Sequence, residues 1–120
     1  MEEGEWSTVF FVEENGRRPI QDFLSSLDGK TQTRFVWSIE QLRVRNTRAR
    51  EPLVRNLEGR LWELREESNT NIYRLMYFFF TGRRIVFVHA FQKKTQKTPR
   101  REIDIALDRM QQFIRREGEE

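Results

Sequence analysis

The sequence of 120 residues contains no cysteine and a single histidine, His89. Without thiols the chain has no disulfides and no thiolate ligands for a metal, and a cysteine nucleophile with a histidine base is excluded. A Ser–His–Asp triad would depend on His89. That residue alternates with Phe87 and Phe91 on one face of a strand-like run, so we interpret it as a half-buried sheet residue. The lack of disulfides also fits a reducing compartment.

Long apolar runs and phosphate-binding loops are also missing. The longest apolar stretches, near residues 77–80 and 85–88, have the length of strands, whereas a membrane helix needs roughly 20 apolar residues. The first five residues are acidic in character, whereas a signal peptide begins with basic residues. We therefore expect a cytoplasmic protein with no membrane contact. The six glycines are scattered among turns, so no glycine-rich phosphate loop is predicted.

Acidic residues are absent from one long segment, residues 68–101, which contains eight basic residues. In the rest of the chain 19 acidic residues outnumber 14 basic ones, although the whole chain has a formal net charge of +3. This segment therefore carries all of the positive excess. A basic patch attracts polyanions, and we expect the partner to be a nucleic acid. The alternative is a charged face that only keeps the protein in solution.

Apolar spacing and turn residues predict a single domain, residues 1–120, with the element order β-α-α-β-β-β-α. The two consecutive helices form an αα-hairpin, with Asp28-Gly29 ending the first of them. Residues 46–60 are expected to be irregular. The predicted elements, in chain order, are residues 6–12, 19–27, 31–45, 61–66, 72–80, 84–91 and 99–116. The predicted fold is α+β, with helices packed on one face of a mainly antiparallel sheet.

Within the second helix, Phe35, Val36, Ile39 and Leu42 are expected to face inward. The strand over residues 72–80 contains one charged residue, Arg74.

An arginine among apolar strand residues is costly unless it meets a partner. Two interpretations of Arg74 remain open. It forms an internal salt bridge, with Glu63 as one candidate partner, or it clamps a phosphate on the open sheet face, a role that suits a planar bidentate donor.

Arg100 and Arg101 fall in the first turn of the last predicted helix. The helix dipole disfavours cations at this end, whereas the free backbone N–H groups of the same turn favour an anion. This end of the helix either tolerates a small energetic cost or is a candidate site for an anion.

Several motifs in a fixed order resemble the HigB-like branch of the RelE toxin superfamily. They are Leu-Glu-Gly-Arg-Leu-Trp-Glu-Leu-Arg at residues 57–65, Tyr-Arg-Leu-Met-Tyr at 73–77, His-Ala-Phe at 89–91 and Lys-Lys-Thr-Gln-Lys-Thr-Pro at 93–99. The helix that begins at Pro19 also fits this branch, so the resemblance covers about residues 6–114. It implies a RelE-like fold and a ribosome-dependent endoribonuclease that cleaves mRNA. It also implies a helix-turn-helix antitoxin as the partner, and we expect a heterotetramer with it.

The resemblance also implies roles for individual residues. Arg65 matches a basic strand residue of the active site, Arg74 matches the arginine that stabilises the transition state, and Lys93, Lys94 and Lys97 match a basic loop. The expected catalytic residues are Arg65, Arg74, Lys93 and Lys94. Further RNA contacts are expected from Arg60, Phe91, Lys97, Arg100 and Arg101. RelE itself has a tyrosine early in the last helix, and this chain has no tyrosine after Tyr77.

The implied reaction needs no metal or other cofactor. A 2′-hydroxyl attacks the adjacent phosphate and leaves a 2′,3′-cyclic phosphate and a 5′-hydroxyl. A lysine among like charges has a lowered pKa, so Lys93 or Lys94 is the expected base. Two alternatives stay open. One is a ParE-like toxin, which has the same fold and inhibits DNA gyrase. The other is a non-catalytic RNA-binding module with Trp62, Tyr73 and Phe91 as stacking platforms.

Overall fold

A five-stranded sheet forms the centre of the computed structural model, which describes residues 4–118. Its strands are β1 (Ser7–Phe10), β2 (Val54–Glu58), β3 (Leu61–Ser68), β4 (Asn71–Phe80) and β5 (Arg84–Lys93). The helices are α1 (Pro19–Ser25), α2 (Gly29–Arg45) and α3 (Arg100–Glu117), with a 3-10 turn at Asn46–Arg48. The strands lie in the order β1-β5-β4-β3-β2. All neighbouring pairs are antiparallel except β1 and β5, which are parallel, so the predicted α+β class is confirmed.

The strand β2 lies within the segment 46–60, which was predicted to be irregular. Only Val54 of its five residues is buried, so the segment lacks the apolar alternation that predicts a strand. It becomes a strand by pairing with β3, where Val54 lies opposite Leu64 and Arg55 lies opposite Glu63. The observed element order is therefore β-α-α-β-β-β-β-α.

The boundary between α1 and α2 also differs from the prediction. Asp28 does not end the first helix but is the N-cap of α2, where its Oδ1 accepts a hydrogen bond of 2.8 Å from the backbone N–H of Thr31. This hydrogen bond holds the pKa of Asp28 below its ordinary value. The first helix ends earlier, at Ser25. A short acidic residue followed by glycine is compatible with either role, since aspartate is a favoured N-cap.

The buried face of α2 consists of Thr31, Phe35, Ser38 and Leu42. Val36, which was predicted to face inward, is 69% exposed. In a helix, neighbouring residues differ by about 100° in direction. The four buried residues lie within about 60° of one another around the helix axis, and Val36 lies about 100° beyond Phe35, outside this stripe.

The helices cover both faces of the sheet, not one face as predicted. The ring of Tyr73 lies 5.8 Å from that of Phe35 in α2, whereas the ring of Phe80 lies 5.1 Å from that of Phe113 in α3. Alternate side chains of a strand point to opposite faces, so α2 and α3 lie on opposite sides. We call the side that contains Tyr73, Leu75 and Tyr77 the hairpin face, because the α1–α2 hairpin packs on it. The side that contains Arg74, Met76 and Phe78 is the α3 face.

An irregularity in β5 changes which of its residues share a face. The register with β4 shifts between Met76 and Tyr77, which lie opposite His89 and Phe87 respectively. At this point β5 has one residue more than β4, which is a β-bulge. His89 and Phe91 therefore lie on the α3 face, whereas Phe87 lies on the hairpin face, and the predicted alternation of these three residues is wrong at Phe87.

Buried apolar side chains from the sheet and all three helices form one cluster, which includes Ile20, Phe35, Leu64, Leu75 and Ala106. Within residues 4–118, none of the helices combines the length and apolar character that crossing a membrane requires.

Candidate active site

A cleft of about 700 Å³ lies at the end of the sheet where β3 turns into β4 and where β5 ends. Its walls come from β2, β3, β4, β5 and the two adjoining turns, and none of its lining residues belongs to α3. We call it the cationic cleft. Its lining residues are Arg55, Arg65, Glu67, Thr70, Asn71, Ile72, Arg74, Gln92, Lys93, Lys94, Thr95 and Gln96.

All four predicted catalytic residues line this cleft. Arg65 of β3 lies directly opposite Arg74 of β4, and Lys93 of β5 lies opposite Ile72. Lys94 follows at the end of β5. Sequence-distant cations are thus brought together by strand pairing. One carboxylate outside the cleft, Glu51, lies 3.8 Å from Arg65.

Arg74 has features of both interpretations that the sequence left open. Its side chain is 4% exposed, and its Nε lies 3.4 Å from Oε2 of Glu63, whose side chain is 3% exposed. It also donates a hydrogen bond of 2.9 Å from Nη1 to the carbonyl of Tyr73. Among the described residues, however, the Nε–H has no hydrogen-bond partner. The buried Nε thus faces Glu63 as a salt-bridge partner, and Arg74 is at the same time a lining residue of the cleft.

The environment of Lys93 suits a proton acceptor. Burial lowers the pKa of its ammonium most strongly, and the positive charges of Arg74, Arg65 and Arg55 lower it further, whereas Glu63 raises it. A lysine with a lowered pKa has more of its neutral, basic form near neutral pH. Of the two lysines that the sequence left open, Lys93 is therefore the better candidate for a base.

The sequence analysis missed Arg55 and the amides of the cleft. Arg55 lies on β2, so its place next to β3 follows only from the pairing that the sequence did not predict. Three amides, Asn71, Gln92 and Gln96, also line the cleft, and Nε2 of Gln92 donates a hydrogen bond of 3.1 Å to Oδ1 of Asn71. Turn composition indicated that Asn71 closes a hairpin, but no local signal connected it with Gln92.

The predicted RNA contacts in the first turn of α3 lie outside the lining of the cleft. Arg100 is bound to two carboxylates, with Nη1 2.6 Å from Oε1 of Glu58 and Nε 2.9 Å from Oδ1 of Asp104. These partners hold the pKa of Arg100 above its ordinary value. Arg101 is largely exposed and lies 3.4 Å from Glu102. Carboxylates of the protein itself thus accompany both arginines.

Three further predicted RNA contacts also lie outside the lining of the cleft. Arg60 donates a hydrogen bond of 2.8 Å to the carbonyl of Phe79, and its guanidinium lies 5.4 Å from the centre of the ring of Phe78. Phe91 is only 9% exposed. Lys97 is exposed on the loop before α3.

The aromatic residues considered as stacking platforms are largely enclosed. Tyr73 is 4% exposed and packs against Phe35. The ring of Phe91 is stacked on that of His89, 5.5 Å away. Trp62 is half-buried, and none of the three aromatic residues lines the cationic cleft.

His89 is largely buried in the sheet, as the sequence predicted. Its Nε2 lies 2.6 Å from Oε1 of Glu102, and its Nδ1 lies 3.2 Å from Nη1 of Arg109. Burial lowers the pKa of His89 in spite of the opposing effect of Glu102. Its contacts connect β5 to α3, and it does not line the cationic cleft.

The basic segment 68–101 does not form one patch. Arg83 and Arg84 lie at the β4–β5 turn, whereas Lys93 lies at the opposite end of the same hairpin. Arg84 lies 3.4 Å from Glu117, and its guanidinium lies 4.6 Å from the centre of the ring of Phe80. The expectation of a single patch is wrong, because the length of the β4–β5 hairpin separates the arginines at its turn from Lys93 at its open end.

The cleft can perform two chemical tasks. Its cations Arg55, Arg65, Arg74, Lys93 and Lys94 can hold an anionic backbone and stabilise additional negative charge. Lys93 can accept a proton. Among residues 4–118, no group of three or more His, Cys, Asp or Glu residues is arranged to hold a metal ion.

Comparison with known proteins identifies the family. Residues 22–111 match the family described as "Phage derived protein Gp49-like (DUF891)", and the chain belongs to this family. It is also similar to the "Probable endoribonuclease HigB1" of Mycobacterium tuberculosis, in strains CDC 1551 / Oshkosh and ATCC 25618 / H37Rv, with 35% identity over 66 residues in each. The matched part is 55% of this chain and 52% of the relative, so the chain spans about half the length of the curated relatives it matches. The predicted resemblance to HigB-like proteins is confirmed.

Proposed function

We propose that this protein is the toxin of a toxin–antitoxin pair, an endoribonuclease that cleaves mRNA on the ribosome without a metal ion. The observation that carries the proposal is the meeting of Arg65, Arg74, Lys93 and Lys94 in one cleft. A relative named as a probable endoribonuclease supports RNA as the substrate class. The proposed partner is a helix-turn-helix antitoxin that binds the toxin in a heterotetramer.

Substrate binding is assigned to the cations at the cleft wall. Arg55 and Arg65 come from neighbouring strands, and Lys94 comes from the loop that follows β5. Together they bind consecutive phosphates of the RNA backbone. Such contacts depend on charge and not on base identity. The ribosome is proposed to supply the bent mRNA conformation in which a 2′-hydroxyl lies in line with the next phosphate.

The chemical step is a transesterification. The O2′–P bond forms while the P–O5′ bond breaks, and neutral Lys93 accepts the proton of the 2′-hydroxyl. Arg74 stabilises the negative charge of the phosphorane-like transition state, a contribution that is often the largest in catalysis. The leaving 5′-oxygen takes up a proton from solvent. The products are a 2′,3′-cyclic phosphate and a 5′-hydroxyl.

The test is cleavage of mRNA on purified ribosomes, with magnesium retained and transition metals removed by a selective chelator. We expect fragments that end in a 2′,3′-cyclic phosphate, at a rate that the chelator does not change. Lys93→Gln is the inactive comparison, and Lys30→Gln, an exposed lysine of α2, is the matched control.

Different failures point to different alternatives. Loss of cleavage that zinc or manganese restores would contradict the metal-independent mechanism. RNA binding without any fragments would identify a non-catalytic module. Inhibition of gyrase with intact mRNA would identify a ParE-like toxin.

A further inference from the structure

Glu63 is a buried carboxylate just behind the wall of the cationic cleft. It lies on β3 between Arg55 of β2 and Met76 of β4, and its side chain is 3% exposed. It does not line the cleft, and the proposed mechanism gives it no role. Burying a carboxylate is costly unless it meets compensating partners, so its contacts indicate what it does.

The two oxygens of Glu63 contact two different parts of the site. Its Oε2 lies 3.4 Å from Nε of Arg74. Its Oε1 lies 3.5 Å from Oγ1 of Thr98, at the outer limit of a hydrogen bond, on the loop between β5 and α3. The carboxylate therefore connects β3 with the arginine of β4 and with the loop that begins at Lys94.

The charge of Glu63 also acts on Lys93. Arg74, Arg65 and Arg55 lower the pKa of Lys93 and Glu63 raises it. Burial, the largest influence, lowers it as well. The charged groups around Lys93, taken from every strand and turn of the cleft, are Arg55, Glu63, Arg65, Glu67, Arg74 and Lys94.

We propose that Glu63 is a positioning residue, which holds the guanidinium of Arg74 at the cleft wall through the buried contact of 3.4 Å. Because the charge of Glu63 also acts on Lys93, removing that charge should change the proton affinity of Lys93. This inference rests on the proposed function, in which the cationic cleft is the active site for RNA cleavage. Its electrostatic part concerns the folded protein alone and can be measured without substrate.

The first experiment follows Lys93 in Glu63→Gln by NMR titration of the protein with isotope-labelled lysine. Glutamine has nearly the same shape and keeps an oxygen that accepts a hydrogen bond from Thr98, so the substitution removes mainly the charge. We expect the pKa of Lys93 to be lower in the variant than in the parent. Glu40→Gln, at an exposed carboxylate of α2 paired with Arg43, is the matched control and should leave Lys93 unchanged. An unchanged titration of Lys93 in Glu63→Gln would overturn the proposal.

The second experiment measures cleavage. We expect Glu63→Gln to reduce the maximal rate by about 10- to 100-fold, the size of effect known for residues that orient the ligands of a catalytic metal. The limb of the pH–rate profile that reports Lys93 should move to lower pH by the same amount as the NMR titration. A reduced rate with an unmoved profile would mark Glu63 as merely structural and contradict the proposal.

The single variant leaves the charge of Arg74 buried without a partner, which can prevent folding. The double variant Glu63→Gln/Arg74→Gln replaces the ion pair by two neutral amides, so no unpaired charge remains buried. If Glu63 acts on the maximal rate through Arg74, the double variant should have the same maximal rate as Arg74→Gln alone, with both rates taken at a pH where Lys93 is neutral. A further loss of cleavage in the double variant would overturn the positioning role. If the parent does not cleave RNA at all, the proposed function fails, whereas the titration of Lys93 still decides the role of Glu63.

Discussion

On the hairpin face of β4, Tyr73 and Leu75 are buried beneath α1 and α2, whereas Arg74, between them in the chain, points to the α3 face and lines the cationic cleft. A single strand thus supplies the core on one side and the candidate site on the other. This division is possible because consecutive side chains of a strand point in opposite directions.

The α3 face is itself divided along its length. Near the β4–β5 turn, Phe78 and Phe80 are covered by Phe113 of α3. Toward the other end, Arg65 and Arg74 face a cleft that no residue of α3 lines. The part of the sheet that α3 covers is therefore apolar, and the part that it leaves uncovered is cationic. We expect substitutions in the apolar parts of the sheet to change stability and substitutions in the cleft to change cleavage.

The largest effect is expected from Lys93→Gln. Removing a general base slows a reaction by about 10²–10⁴-fold. In the parent, the rate should rise with pH as Lys93 loses its proton, at a pKa below its ordinary value of 10.5. The variant should lack this limb of the profile, which single-turnover cleavage across pH would show. If the variant retains the limb, Lys93 is not the base.

Arg74→Ala should affect both activity and stability. Losing one transition-state donor slows a reaction by about 10²–10³-fold. Leaving the buried charge of Glu63 unpaired costs about 3–5 kcal/mol of unfolding free energy. Cleavage rate and denaturant unfolding of the same variant test both effects. A protein that unfolds much more easily yet cleaves at nearly the parental rate would remove Arg74 from the site.

Leu75→Ala, next to Arg74 but on the hairpin face, should affect stability alone. Leu75 is fully buried, and truncating such a leucine costs about 2–5 kcal/mol of unfolding free energy. Cleavage per folded molecule should stay at the parental value, because the side chain does not reach the cleft. A specific loss of cleavage in fully folded protein would show that the two faces are not independent.

The smallest effect is expected at the other end of the hairpin. The double variant Arg83→Gln/Arg84→Gln removes two cations from the basic segment but none from the cleft. Cleavage should change by less than about twofold, and loss of the exposed pair with Glu117 should cost at most about 1 kcal/mol. A large loss of cleavage would instead favour one continuous basic surface.

Local pattern was sufficient for much of this protein. Alternation and helical spacing predicted four of the five strands and all three helices to within a few residues, because the direction of each side chain within an element depends on its immediate neighbours. The motifs carrying Arg65, Arg74, Lys93 and Lys94 identified residues that one cleft brings together. His89 was correctly interpreted as a half-buried sheet residue.

Tertiary pairing decided the rest. The strand β2 has no apolar alternation and exists because β3 offers it free backbone groups, so the position of Arg55 could not be predicted from local pattern. Arg100 meets Glu58, 42 residues earlier in the chain. Periodicity predicts which side of an element a residue occupies, but not which element will lie against it. That choice depends on long-range strand pairing and on where α3 ends its cover of the sheet, and it brought Arg55 into the cleft.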